Sequence, residues 1–486
     1  MVFKIITNSI KTPAFIVIFF TLLYIFLSNN NSETDAYAYA ISVKSGENLI
    51  FPHHLFYCFP ARFLIKFIKI TGLNPDALWI LKLINSISAG FCIYFLGKIL
   101  KLLNNKKNIN YLVFAGSFFG FMRFATEGET YIIPIMFSLI ATYFFIISLQ
   151  KNNVVFLFFS GLLFGISILF HQIHFFWFAG FVLSMLSGNF QKKITKISIY
   201  VMPSSILVFL VYFYAAAQTN STIINFTFHD YLKGNANVFI GFNNFLMLPI
   251  SIFRTFFQAH GYIFFFVQKY KFLILIIIAF AGFASFLVYK FLKSVKFKKS
   301  ENSILQKAIL YAFILHFLFA FFSVSNAEFM VMLPFLGLLW LELKFHFNIK
   351  YLLKFSILML FWNVCFGLIP LHFSNIDGSK NLIYKAQNAN WIFYNPQKME
   401  NMGEYYFGEK YVKNFFRLNS INTLIKNNQI EFVYTDFFNE KDELNRRKLL
   451  FKKDSFYIKF KTLNRFKVDS INYSFGKKYI YKVELK

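Results

Sequence analysis

The sequence predicts a polytopic α-helical membrane protein with a small C-terminal extracytoplasmic α/β domain, because composition, run length and charge placement agree on it. Hydrophobic residues fill 57% of the 486 positions and charged residues only 15%, with 74 Phe, which is too apolar for an ordinary set of soluble domains. The apolar residues fall in runs of about 16 to 22, separated by short Lys/Asn clusters, and a helix needs about 20 to cross the hydrocarbon layer. A β-barrel is excluded, since its strands would be about 10 residues long and would alternate polar with apolar.

The first run, 13–27, follows Lys4 and Lys11, which places the N-terminus in the cytoplasm and sends the chain outward. "AYA" in the next stretch has the form of a signal-peptidase site. The polar residues Asn29 to Asp35 stand between the run and those alanines, so an uncleaved helix is expected. Further helices are expected near 77–100, 110–126, 131–149, 154–170, 174–188, 197–217, 272–292, 303–323, 329–344 and 351–371, eleven crossings in all with the first. Lys101, Lys151, Lys196, Lys293 and Lys344 with their neighbours then fall on one side at every turn. The net charge of +28 would point a soluble protein to nucleic acid; here membrane topology accounts for it and no nucleic-acid partner is expected.

Segment 218–270 breaks the pattern, because 244–267 is apolar but carries Arg254, His260, Pro249 and Gly261. As a crossing it would put "KSVKFKK" outside, so a re-entrant or interfacial helix is expected. No internal repeat of the transporter kind is visible. After residue 372 the runs shorten, and "IEFVYTDFF" and "KKYIYKVELK" read as strands. The domains are therefore 1–372, with outer loops 29–75 and 218–270, and 373–486. Cys58, Cys92 and Cys365 form neither a disulfide framework nor a zinc spacing.

Carboxylates locate the chemistry. Of 22 Asp and Glu, 12 lie in 373–486, and eight of the other ten map to the outer side. Among these are two close pairs, Glu33-Thr34-Asp35 just after the first helix and Glu127-Gly128-Glu129 in a short turn. Two carboxylates at a membrane boundary can share a divalent cation such as Mg or Mn, or raise one partner's pKa for general-base work. His53, His54, Arg62, Arg123, His171, His229, Lys233 and Arg254 share that face and suit phosphate oxygens. Interfacial anchoring explains any one of them equally well. "HQIH" at 171–174 lacks the spacing and glutamate of a zinc protease. Lys82 and Arg123 are the charges nearest mid-helix, and Lys82 can snorkel.

This layout resembles the GT-C superfamily of polytopic glycosyltransferases, which includes protein O-mannosyltransferases, the lipid A aminoarabinose transferase and oligosaccharyltransferase catalytic subunits. The resemblance rests on "SETDAYAYA" and "FPHHLFY" in the first outer loop, the turn "TEGET", "NAEFMVMLPFL" late in the chain, and the outer C-terminal domain. It implies inverting transfer of a hexosyl or pentosyl group from a polyprenyl-phosphate donor to an extracytoplasmic lipid, glycan or protein at a bacterial cytoplasmic (inner) membrane. Asp35 would be general base or metal ligand with Glu33 its partner, and Glu129 and Glu127 the second acidic position. His53, His54, Arg62, His171 and Arg254 would hold the donor phosphate. His229, Asp230 and Lys233, with Arg254, would form a lid or acceptor groove. The first triplet is E-x-D rather than D-x-D and "WWDYG" is absent, so transfer to asparagine sequons is not expected. A flippase of a lipid-linked sugar and a surface-polysaccharide polymerase or ligase stay open as alternatives.

Overall fold

A computed structural model describes residues 13–103, 108–187, 193–232, 240–259, 262–298, 303–376, 378–386, 391–393, 396–408, 432–434, 463–474 and 476–485. Lys4, Lys11, Lys233 and His260 lie outside the described residues. The chain forms two compact units, Met1–Asn29 with Gly46–Ile369, and Asn30–Ser45 with Pro370–Lys486.

In chain order the helices are α1 (Pro13–Phe26), α2 (Thr34–Ser45), α3 (Cys58–Ile70), α4 (Ala77–Leu102), α5 (Asn108–Ser117), α6 (Phe119–Ala125) and α7 (Ile132–Lys151). They continue with α8 (Val154–Phe170), α9 (Phe175–Ser187), α10 (Lys193–Gln218), α11 (Ile223–Thr227), α12 (His229–Leu232), α13 (Phe242–Phe256) and α14 (Tyr262–Lys269). α15 (Leu273–Lys293), α16 (Ile304–Phe322), α17 (Leu333–Lys344), α18 (Ile349–Asn363) and α19 (Ile369–Phe373) follow, then α20 (Ser379–Ala386) and α21 (Pro396–Phe407). Each of the eleven predicted runs holds helix among the described residues, although 110–126 is interrupted and 329–344 enters its helix only at Leu333, after a 3-10 turn at Ala327–Met330. Among the described residues, six stretches are long and apolar enough to cross a membrane: α4, α7, α10, α15, α16 and Ile349–Phe373, in which α18 passes through a π turn into α19.

Lipid is as apolar as leucine, so these helices associate through close packing rather than through exclusion of water. Glycines provide the approach. A Cβ on Gly161 of α8 would lie 1.9 Å from the Tyr200 carbonyl of α10, and one on Gly180 of α9 would lie 2.3 Å from the Ala312 nitrogen of α16. Phe20, Phe118, Phe121, Phe145 and Trp177 fill the interior between helices.

The stretch predicted as one helix at 110–126 is two, since Phe118 adopts an extended backbone between α5 and α6. A break inside a bundle strands carbonyls that water cannot reach. Asn363, at the end of α18, answers it: its Nδ2 donates to the carbonyls of Ser117 and Phe256, each at 2.8 Å, and its Oδ1 accepts from the Gln258 backbone nitrogen at 2.8 Å. One buried amide thus serves three backbone groups, each costing about 1–3 kcal/mol if left unmet.

Segment 244–267 folds as α13 and α14. α13 turns Asn244, Ser251 and Thr255 inward and leaves Phe242, Phe245 and Phe253 exposed. An apolar outer face over a polar inner one suits a helix facing lipid, not water. Asn244 Nδ2 donates to the Phe321 carbonyl at 2.6 Å, and Ser325 Oγ donates to the Asn244 carbonyl at 2.7 Å.

In the other unit, β3 (Trp391–Phe393), β4 (Phe432–Tyr434), β5 (Leu463–Tyr473) and β6 (Gly476–Leu485) form one mixed sheet in the order β3-β4-β6-β5. β3 and β4 are parallel and the other pairs antiparallel, consistent with the α/β character expected from composition. A separate two-stranded ribbon, β1 (Lys296–Phe297) with β2 (Phe345–His346), belongs to the helical unit.

Candidate active site

The helical unit gathers polar residues at the 127–131 turn. Thr126 ends α6, and the turn that follows is buried, including Glu127 and Glu129. Asn29, just past the end of α1, donates its Nδ2 to Glu127 Oε2 and its backbone nitrogen to the Thr126 carbonyl at 2.9 Å. Glu127 Oε1 accepts from the Gly128 nitrogen at 2.9 Å. Asn85 of α4 clamps the same turn, donating to the carbonyls of Glu127 and Glu129, each at 2.6 Å, and to Tyr57 OH at 3.2 Å. Lys82, one turn earlier on α4, does not snorkel: it is buried and its Nζ donates to the Asn29 carbonyl. Burial and then the Glu129 carboxylate push the Tyr57 phenol well above its usual pKa, so it stays a neutral hydroxyl.

A second group starts at Arg123 in the last turn of α6, where the helix dipole favours a cation. Its guanidinium lies 3.6 Å from Glu328 Oε1, and Tyr131 OH donates to Glu328 Oε2 at 3.3 Å. Arg254, on the last turn of α13, feels the charges of both Arg123 and Glu328. Two guanidiniums against one carboxylate leave a net positive charge, which suits an anion. The helix that carries Arg254 also borders an apolar cavity of about 210 Å³, lined by Ile252, Thr255 and Phe256 of α13, by Phe313 and Phe317 of α16 and by Leu333 to Leu341 of α17.

A row of imidazoles forms the third group. His54 and His171 meet edge to face with ring centroids 4.4 Å apart, and His171 lies 5.1 Å from Tyr131. His53 holds a left-handed backbone with φ of 70°, which costs roughly 1–2 kcal/mol outside glycine. Gln172 holds it on two sides, since its nitrogen donates to the His53 carbonyl at 3.2 Å and its Oε1 meets His53 Nδ1. Deeper in the bundle, His174 Nδ1 is 2.7 Å from Ser138 Oγ. Burial, with His54, His174, His53 and His316 adding to it, holds His171 well below the usual imidazole range. A lowered pKa means that the folded state binds fewer protons than the unfolded state between the two pKa values. Stability is therefore complete above about pH 6.5 and falls as pH drops below it. Thermal unfolding in detergent from pH 8 to 5 is expected to show that decline, and His171→Phe is expected to flatten it.

Of the remaining predicted residues, Arg62 on α3 packs its guanidinium against Gly46, close enough that a Cβ there would lie 2.1 Å from its Nη2. His229 and Asp230 begin α12, after Gln172 Nε2 has donated to the Thr227 carbonyl at 3.2 Å. Glu33 and Asp35 belong to the other unit. Asp35 is exposed in the first turn of α2, and Glu33 pairs with Lys398 at 3.7 Å.

The donor set does not fit a metal among the described residues, where no three His, Cys, Asp or Glu side chains converge. Glu127 already spends both carboxylate oxygens on hydrogen bonds. Asn29, Asn85, Tyr57 and Tyr131 escaped the sequence reading as site residues, and Lys82 was read as snorkelling. Polar residues at 82, 85 and 86 inside an apolar run were the one signal of them, marking a helix face that meets something polar.

No protein-family model and no curated protein matches the chain. Solved structures do, and they share this chain's fold. The crystal structure of ArnT from Cupriavidus metallidurans bound to undecaprenyl phosphate superposes with a TM-score of 0.57 at 10% identity, covering 96% of each chain. The same protein in the apo state gives 0.50 at 11% identity, over 96% of this chain and 97% of that one.

Proposed function

We propose that this chain is a membrane glycosyltransferase that moves a sugar, with inversion, from a polyprenyl-phosphate-linked donor to an extracytoplasmic acceptor. The observation that carries the reading is the charge group of Arg123, Arg254 and Glu328 together with an apolar cavity lined by α13, the helix that carries Arg254, and by α16 and α17. That combination complements an anionic head group on a long hydrocarbon chain, and a fold shared with a protein crystallised with undecaprenyl phosphate supports it. The N-terminus is cytoplasmic in this reading, and the acceptor-facing side is outside.

In the reaction, the acceptor hydroxyl oxygen attacks the anomeric carbon and the carbon–oxygen bond to phosphate breaks. Polyprenyl phosphate leaves with the electron pair. Asp35, with Glu33 near it in sequence, takes the acceptor's proton. Arg123 and Arg254, with His53, His54, His171 and Arg62, stabilise the charge growing on the phosphate. Glu127 and Glu129 shape the site's floor through Asn29, Asn85 and Tyr57, while His229, Asp230 and Lys233 serve the acceptor side. The sugar is a hexose or a pentose, and the acceptor a lipid, glycan or protein.

The test offers membranes containing the chain a panel of labelled polyprenyl-phosphate sugars. Transfer from one donor supports the proposal and identifies the sugar. Label that crosses the bilayer unchanged would favour a flippase, and label in lengthening polymer a polymerase.

A further inference from the structure

We propose that α21 is a positioning element for the first-loop acids, so that the C-terminal unit serves catalysis directly; this rests on the reading of Asp35 as the base. α2 has 12 residues, a length at which an isolated helix is marginal in water. Its sequence, TDAYAYAISVKS, buries Ala36, Tyr37, Tyr39, Ala40 and Val43, so it requires a partner face.

Lys398, Asn401 and Tyr405, at spacings of three and four, share one face of α21 and meet α2 in order along its length. Lys398 pairs with Glu33 at 3.7 Å, and Asn401 Nδ2 donates to the Thr34 carbonyl at 3.2 Å. The Tyr405 ring lies 5.8 Å from Tyr37, with Lys44 Nζ 5.2 Å over its face. Lys44 also donates to the Tyr405 carbonyl at 2.7 Å. Upstream, Asn31 Nδ2 donates to the carbonyls of Leu371 at 2.8 Å and Ser374 at 2.7 Å, and its Oδ1 accepts from the Ile376 nitrogen at 2.8 Å. The backbone around Asp35 is thus tied on both sides, by the chain after α18 before it and by α21 after it. Asp35 sits exposed at the start of the helix they hold. Placing a catalytic group is worth a great deal, since a displacement of about 1 Å can cost on the order of 100-fold in rate.

The experiment uses the full chain in nanodiscs. Tyr405→Ala is expected to lower kcat roughly 10-fold while KM for the donor stays within about twofold, because orientation is lost and donor binding is not. Amides 36–45 are expected to exchange with deuterium faster in that variant, and Tyr405→Phe, which keeps the ring, to restore both readouts. Unchanged kcat and unchanged exchange in Tyr405→Ala, alongside an inactive Asp35→Asn, would overturn the positioning role alone. Wild-type transfer by Asp35→Asn would instead overturn the base reading, and the positioning role with it.

Discussion

Asp35→Asn is expected to abolish measurable transfer, lowering kcat by about 10²- to 10⁴-fold, the usual worth of a general base. Asparagine keeps the shape and can still accept a hydrogen bond, but it cannot take a proton. Helix α2 buries its other face and Asp35 is exposed in the first turn, so the substitution leaves the fold intact. Single-turnover transfer from the donor identified by the panel measures this, with deuterium exchange of α2 as the control for folding. Glu33→Gln should cost much less, because Glu33 is half exposed and its charge is answered by Lys398. Equal losses from the two variants would mean that the pair acts as a unit, and no loss from either would remove Asp35 from the chemistry.

The helices were legible because each apolar run carries its own length, and lipid demands that length. The acidic turn at Glu127 and Glu129 was legible because acids are scarce there. What escaped depends on partners distant in the chain. Phe118 looks like any other phenylalanine in an apolar run, and the break there is stable because Asn363, 245 positions later, donates to the carbonyl of Ser117 just before it and to that of Phe256. Asn85 reads as a stray polar residue in a crossing helix until the 127–129 turn is folded onto it. Likewise α2 reads as a loop, since its helix is held by residues 398–405 and no local pattern records that. Local periodicity encodes elements, whereas the polar contacts that shape a site in a membrane are long-range exchanges between buried groups.

Arg254→Met carries the second large effect: kcat/KM for the lipid-linked donor is expected to fall roughly 100-fold, since losing a charge-assisted contact in a dry site costs about 2–5 kcal/mol. The loss should appear mainly in KM if Arg254 binds the phosphate equally before and during reaction, and in kcat if it meets only the charge that grows on the leaving group. Arg254→Lys separates shape from charge, because a lysine keeps the charge but not the planar fork. Arg123 differs in that Glu328 already holds it at 3.6 Å, so Arg123→Met frees a carboxylate beside Arg254 as well as removing a cation. Its loss should therefore be partly restored by Glu328→Gln in the same chain, whereas Arg254→Met should gain little from that change. A double-mutant cycle over Arg123, Arg254 and Glu328 measures both statements. If all three single variants transfer at the wild-type rate, the donor's phosphate lies elsewhere, and the apolar cavity beside α13 loses its claim to the lipid chain.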